Sequence, residues 1–379
     1  MGRRTGIKLF SACYIRVYKT IERKKRSDMK DFAPTGFRYP STRYSGSKRK
    51  FLDWIWENVK DLKFNSVLDA FGGTGSVSLM FKRYGKKVYF NDILKFNQII
   101  GKAIIENRNT VVEIADIERV LNFKVRNYPD FISSTFKGVF FLDHENEWLD
   151  RIITNISTIS DEYKRAIFLS ALFQACLAKR PFNLFHRANL YIRTANVART
   201  FGNKITWEKP FDELLKKFIY EYNQAIFDNG KLNKVIGGYD ALETPNGVDL
   251  VYLDPPYFSS DSNQGTNYMV FYHFLEGLAD YPNWKTRMNG NISKIKRIED
   301  TPEIQRWTHK TKIFDSFNKL IERFQDNIII LSYQSDGIPT KDEIFSIFRK
   351  YKKKVTLRSR SHRYVLSQKT KEELFFIAK

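Results

Sequence analysis

Asn65-Ser66-Val67-Leu68-Asp69-Ala70-Phe71-Gly72-Gly73-Thr74-Gly75 is the stretch that decides the fold of this chain. Residues 65–70 read as a short apolar strand, and the glycines that follow let the backbone turn tightly and approach a ligand. A helix is predicted from about Ser76 to Arg83, then a strand over Lys87–Phe90 ending at Asn91-Asp92. Strand, glycine-rich turn, helix, strand and acidic residue together open a doubly wound α/β sheet. In such a unit the helix start favours an anionic group and the carboxylate suits ribose hydroxyls. The glycines also have a plain structural reading, as a tight turn.

Outward from this unit, Phe51, Leu52, Ile55, Trp56 and Val59 recur at helical spacing after Ser45-Gly46-Ser47-Lys48. Residues 1–37 form a basic extension, with Met29 as a possible alternative start. Residues 95–233 are expected to be a mainly helical insertion, including a buried helix over Ala166–Ala178 and an amphipathic one over Asp212–Phe227. Strand rhythm resumes at Lys234-Val235-Ile236, Val248–Leu253 and Asn327–Ser332, and Lys354–Leu357 with Leu374–Ala378 is expected to close the sheet as an antiparallel hairpin. The division is therefore a catalytic domain in two parts, 38–94 and 234–379, around the insertion.

The formal charge of +22 over 379 residues, with a pI near 9.7, is extreme for an enzyme of small molecules. It favours a polyanionic partner, because each neutralised phosphate releases counterions. An anionic membrane surface is the rival, but no run of about 18 apolar residues is present to span a bilayer. Cys13 and Cys176 provide neither a disulfide framework nor a cysteine-based zinc site, and the five histidines lack ligand spacing, so no metal is expected. No small-residue cleavage site follows the short apolar run Leu9–Ile15, so secretion is not expected, and a cytoplasmic, monomeric protein is expected. Ser76-Val77 stand where a dinucleotide fingerprint wants a third glycine, which points away from NAD and leaves S-adenosylmethionine (AdoMet) as the better ligand.

Asp254-Pro255-Pro256-Tyr257 ends the apolar run Val248–Leu253. Proline fixes φ and carries no N–H, so the pair makes a rigid corner that cannot continue a central strand. A planar base with an exocyclic amino group suits this corner: the carboxylate and a proline carbonyl accept its two N–H bonds while the tyrosine ring stacks on its face. The alternative is a strand that ends in a proline turn beside a core tyrosine.

With these motifs quoted, the chain resembles the Dam-type class of adenine-specific DNA N6-methyltransferases, which includes restriction-modification methylases. Tyr44-Ser45-Gly46-Ser47-Lys48-Arg49-Lys50-Phe51-Leu52, then Asp69–Val77, then Asp254–Tyr257 follow that family's order. The resemblance covers residues 38 to about 93 and about 234 to 379. It implies an AdoMet-dependent methyltransferase sheet with an inserted target-recognition domain. By resemblance, Asp69, Phe71, Gly73 and Gly75 line the cofactor, Asp92 binds its ribose, Tyr44 and Lys48 its methionine end, and Asp240 its adenine amino group. Ala241 stands where the family often has an aromatic, so stacking has to come from elsewhere, with Tyr239 a candidate. Asp254 and the Pro255 carbonyl would hold the target N6, and Tyr257 would stack on the flipped base.

Lys179, Arg180, Arg187 and Arg193 in the basic-aromatic run suit phosphates or guanine edges, and Asn189 suits a base. A solvated basic face over Phe182, Leu184, Phe185 and Leu190 is the competing reading. Ser259–Gly265 reads as a lid or an ordinary loop, Tyr268–Leu275 as a pocket flank or core, and Lys352-Lys353-Lys354 as a solvated face. The expected partner is double-stranded DNA, with a separately acting restriction endonuclease as a possible companion. An RNA adenine-N6 methyltransferase and a catalytically silent nucleic-acid-binding protein of the same fold remain open alternatives.

Overall fold

The apolar runs become strands β1 (Ser66–Asp69), β2 (Lys87–Phe90), β3 (Lys234–Val235), β4 (Leu250–Leu253), β5 (Ile328–Gln334), β6 (Val355–Arg363) and β7 (Thr370–Ala378). They are seen in a computed structural model that describes residues 31–124, 127–195, 204–258, 265–288, 293–363 and 370–379. The strands make one seven-stranded sheet in the order β3-β2-β1-β4-β5-β7-β6. β1 to β5 pair in parallel, and β7 enters antiparallel between β5 and β6. The predicted closing hairpin is present and longer than expected. From β1 the chain runs out to β2 and β3 on one side, and later to β4 and β5 on the other. Sheets of this kind bind ligands beyond the strand C-termini at that reversal.

Alternation along the strands divides the core. Val67, Leu250, Tyr252 and Ile330 belong to one cluster, and Leu68, Val251, Leu253, Ile329 and Leu331 to a second. All four residues of β4 are buried, as expected of a parallel strand covered on both faces. The helices Ser76–Arg83, Glu162–Lys179 and Phe211–Asn223 add Phe81, Phe173 and Ile219 to the first cluster. The helical insertion therefore shares a core with one face of the sheet. Among its described residues it contains no strand.

Phe90 shows why the glycine turn is built as it is. A Cβ on Gly72 would stand 2.2 Å from the Phe90 ring, so only glycine lets the turn cross it. Gly75 has φ +70 and starts the Ser76–Arg83 helix, a conformation that L side chains rarely adopt.

Two expectations change. The helix drawn over Asp212–Phe227 spans Phe211–Asn223. Lys352 is not part of a solvated face: it is 7% exposed, and its ammonium donates to the Gln325 carbonyl at 2.5 Å and to that of Asn327. Only Lys353 and Lys354 of that run are exposed. Residues 1–30 of the basic extension and Ser259–Gln264 of the proposed lid lie outside the described residues. Gly265 and Thr266, where that loop returns, donate to the carbonyls of Thr308 at 3.3 Å and Tyr257 at 2.8 Å. No helix among the described residues is long and apolar enough to cross a membrane.

Candidate active site

β1, β2 and β4 end around a cleft of about 920 Å³, partly open to solvent. It gathers residues from segments far apart in sequence: Tyr44 and Lys48; Asp69, Phe71 and Gly73; Asp92; Asp240; Asp254 and Pro256. Gly75 starts the helix behind the loop, while Pro255 and Tyr257 are buried.

Asp92 closes the turn after β2. Its Oδ2 accepts from the Gly73 N–H at 2.8 Å and from Asn97 at 3.1 Å, and its Oδ1 accepts from the Leu94 N–H at 2.8 Å. Burial pushes its carboxyl up to about 6 in spite of these donors. Asp69, at the end of β1, is 1% exposed, and burial pushes it up to about 7. Ser78 donates to its Oδ2 at 2.7 Å, while Oδ1 lacks a hydrogen-bond partner among the described residues. A buried, unpartnered oxygen on a cleft-lining carboxylate suits an incoming ammonium.

At the opposite end, Asp240 has a fully buried side chain. Arg306 donates to its Oδ2 at 2.5 Å, and the Leu242 N–H and Trp307 indole donate to its Oδ1 at 3.1 and 3.4 Å. Sequence reasoning missed Arg306 and Trp307. Trp307 meets Phe71 edge to face, with ring centroids 5.0 Å apart, and both line the cleft with Ile93. They supply the apolar walls that Ala241 does not. Tyr239, the expected substitute, also borders the cleft and is 42% exposed. Acceptors for an ammonium and a ribose together with apolar walls in one cleft match the chemistry of AdoMet, so the residues fit that group.

Tyr44 lies against Tyr268 and Tyr272, with centroids 5.2 and 4.5 Å away and rings nearly parallel. The Tyr268–Ala279 helix serves as both flank and core: Tyr268 and Met269 line the cleft, and Phe274 and Leu275 are fully buried.

Lys48 is the centre of the catalytic corner. Its ammonium lies 3.1 Å from Asp254 Oδ1 and 3.1 Å from Glu373 Oε1, and it also donates to the Tyr257 hydroxyl. An ammonium has three donors, so Lys48 is fully engaged here rather than free for the methionine end. Tyr257 in turn donates to Asp254 Oδ1 at 2.6 Å. All these contacts fall on Oδ1, leaving Asp254 Oδ2 without a partner among the described residues. Burial raises the Asp254 carboxyl above its usual range, with Lys48 opposing and Glu373 reinforcing the shift. Burial pulls Lys48 down, but Asp254 and Glu373 outweigh it and hold the ammonium above its ordinary value. The Tyr257 ring is 6% exposed and packs edge to face on Tyr333 at 5.6 Å, so in this structure it does not face the cleft. Glu373 also escaped sequence reasoning. A charged residue entering the apolar run Leu374–Ala378 was the available signal, but the pairing that sets it opposite Gln334 was not legible.

The basic run divides. Lys179 is 3% exposed and donates to Glu145 at 2.5 Å and to the Trp207 carbonyl at 2.9 Å. Arg193 grips both oxygens of Glu145 at 2.8 Å. Arg180 is 1% exposed and donates to the carbonyls of Leu184, Phe140 and Arg187 at 3.1, 3.2 and 2.6 Å. Burial among Phe140 and Phe185 pushes it down to about 9. The expectation that these three meet DNA is therefore corrected: buried cations are paired inside the protein, and these are. Arg187 is exposed and Asn189 half-exposed, beside Phe182 at 61% and Tyr191 at 70%.

A cleft whose residues fit AdoMet, with an Asp-Pro-Pro-Tyr corner at its edge, points to a class of amino-methylating enzymes, and comparison with known proteins narrows it. The sequence model described as D12 class N6 adenine-specific DNA methyltransferase matches residues 44–319. The chain belongs to that family, and its methyl donor is AdoMet. It is 26% identical over 353 residues to the type II methyltransferase M2.HphI of Haemophilus parahaemolyticus, covering 90% of this chain and 98% of that protein. It is 27% identical over 337 residues to the type II methyltransferase M.FokI of Planomicrobium okeanokoites, covering 82% of this chain but only 47% of that protein. To the type II methyltransferase M.NlaIII of Neisseria lactamica it is 23% identical over 323 residues, covering 82% and 88%.

Proposed function

We propose that this chain is the site-specific methylase of a type II modification system, and that it methylates N6 of an adenine rotated out of duplex DNA against Asp254. The observation that carries the reading is Asp254 at the edge of the cofactor cleft, with Oδ1 fixed by Lys48 and Tyr257 and Oδ2 without a partner among the described residues.

AdoMet supplies an electrophilic methyl group, and the chain does the rest. Asp92 and Asp69 hold polar groups of the donor, while Phe71 and Trp307 flank its base. Asp254 Oδ2 and the Pro255 carbonyl accept the two N6–H bonds of the target. Adenine N6 is a poor nucleophile because its lone pair is delocalised into the ring. Two acceptors favour a pyramidal nitrogen and would offset the positive charge that develops there as the N6 lone pair forms its bond to the methyl carbon and the donor keeps the electrons of the bond it gives up. The extra N6 proton then leaves towards Asp254. Positioning of this kind is worth up to about 7–11 kcal/mol. Extruding the base costs a few kcal/mol, offset by stacking and backbone contacts. Because Tyr257 is buried, stacking by its ring requires it to turn outward when the base arrives.

Arg187 and Asn189 are the members of the basic run placed to meet DNA. Incubation with labelled AdoMet and either duplex DNA or structured RNA tests the reading. Label in N6-methyladenine of DNA alone is expected; label in RNA alone contradicts it. With 2-aminopurine at the target position, extrusion is expected to raise fluorescence on binding.

A further inference from the structure

The cleft is acidic in a strongly basic protein. Asp69, Asp92, Asp240 and Asp254 line it, and Lys48 is the one cation among its described lining residues. Asp240 is neutralised locally by Arg306. Lys48 and Asp254 alone would make a neutral pair. Behind them, on β7, Glu373 is 1% exposed and lies 3.1 Å from the same ammonium. The Ser332 hydroxyl donates to its Oε1, and the Tyr257 oxygen lies 3.4 Å from it. The trio of Lys48, Asp254 and Glu373 therefore carries a net charge of about −1, buried where fields are poorly screened. Glu373 does not line the cleft and lies beyond the span of the family match, which ends at residue 319.

We propose that Glu373 is a positioning residue whose charge, acting through Lys48, leaves the Asp254 carboxylate uncompensated and makes the cleft prefer a sulfonium ligand over its neutral thioether product. This rests on the AdoMet reading of the cleft and on Asp254 as the methyl-transfer aspartate. The physical argument is a charge balance. Before transfer the positive charge is on sulfur; as the methyl moves it shifts to N6, still beside Asp254. After the proton leaves, the product S-adenosylhomocysteine has no sulfonium, and the attraction that held the donor is gone. Glu373 thus favours donor binding, supports the developing charge at N6 and eases product exchange. A residue that only filled space behind Lys48 would affect both ligands alike.

The test measures dissociation constants by calorimetry for AdoMet, S-adenosylhomocysteine and sinefungin, an analogue bearing an ammonium where the sulfonium stands. It uses the full chain and its Glu373→Gln and Glu373→Asp variants. The unaltered protein is expected to bind both cationic ligands at least about fivefold more tightly than S-adenosylhomocysteine. Glu373→Gln is expected to cut that preference by about fivefold or more with little change for S-adenosylhomocysteine, and Glu373→Asp to restore most of it. Equal loss for all three ligands in both variants would mark Glu373 as structural and overturn the proposal. If Glu373→Gln does not fold, the unaltered protein still decides, because equal affinity for all three ligands overturns it. Failure of the unaltered protein to bind any of them would overturn the methyltransferase reading as well.

Discussion

Asp92 and Asp69 are poised between holding the cofactor and burdening the empty protein. The carboxyl of Asp92 is pushed up to about 6, and only its ionised form offers full acceptor capacity to a diol. AdoMet affinity is therefore expected to weaken as the pH falls from 7.5 through about 6 to 5.5, and Asp92→Asn to bind weakly at every pH; calorimetry across that range checks this. Asp69 has its folded-state value raised from 3.8 to about 7. The cost of keeping it ionised is full above that value and is relieved as the pH drops towards the unfolded one. Asp69→Asn should thus raise the thermal midpoint of the ligand-free protein at pH 8, and raise it less at pH 5. A lower midpoint at pH 8 would contradict the account. Asp69, Asp92 and Asp254 were legible because each ends a strand or its turn in a recognisable motif. Glu373, Arg306 and Trp307 were not, because their places depend on strand pairing and helix docking that no local pattern records.

The elements carrying the basic run show how charge in sequence can mislead. The helix Asp143–Ser157 presents Glu145 to Lys179 and Arg193 within one buried cluster, where the two cations outweigh burial and hold Glu145 below its ordinary value. Glu145→Ala would strand both cations and is expected to cost about 3–5 kcal/mol in a denaturant titration. Arg187→Ala, at an exposed position, is expected to leave that midpoint nearly unchanged. Spacing alone could not separate the two arginines, since both stand in the same polar-aromatic stretch and only the partner helix distinguishes them. The strands were easier to read. β4 and the first four residues of β5, Ile328–Leu331, are continuous apolar runs, and the turn after β1 requires glycine beneath the Phe90 ring.

At the scale of the molecule, the chain carries a net charge of +22 while four aspartates line the cleft, so different features attract the polymer and the donor. DNA affinity is expected to fall steeply with salt, on a log–log line whose slope reports the phosphates neutralised. Arg187→Ala should reduce that slope by about one if it contacts a phosphate, whereas AdoMet affinity should be unaffected. The strands and the closing hairpin were legible from the apolar runs and the motifs that end them. That the insertion shares its core with the sheet was not, because contacts such as that of Glu106 with the Val235 N–H on β3 join segments 129 residues apart.

The most direct test of the central claim compares the unaltered protein with Asp254→Ala, measuring N6-methyladenine formed in duplex DNA and AdoMet affinity side by side. Methyl transfer is expected to fall at least about a hundredfold, with AdoMet still bound within about tenfold of the original affinity. Retained transfer, or loss of transfer and AdoMet binding to the same extent, would contradict the placement of the target adenine at Asp254.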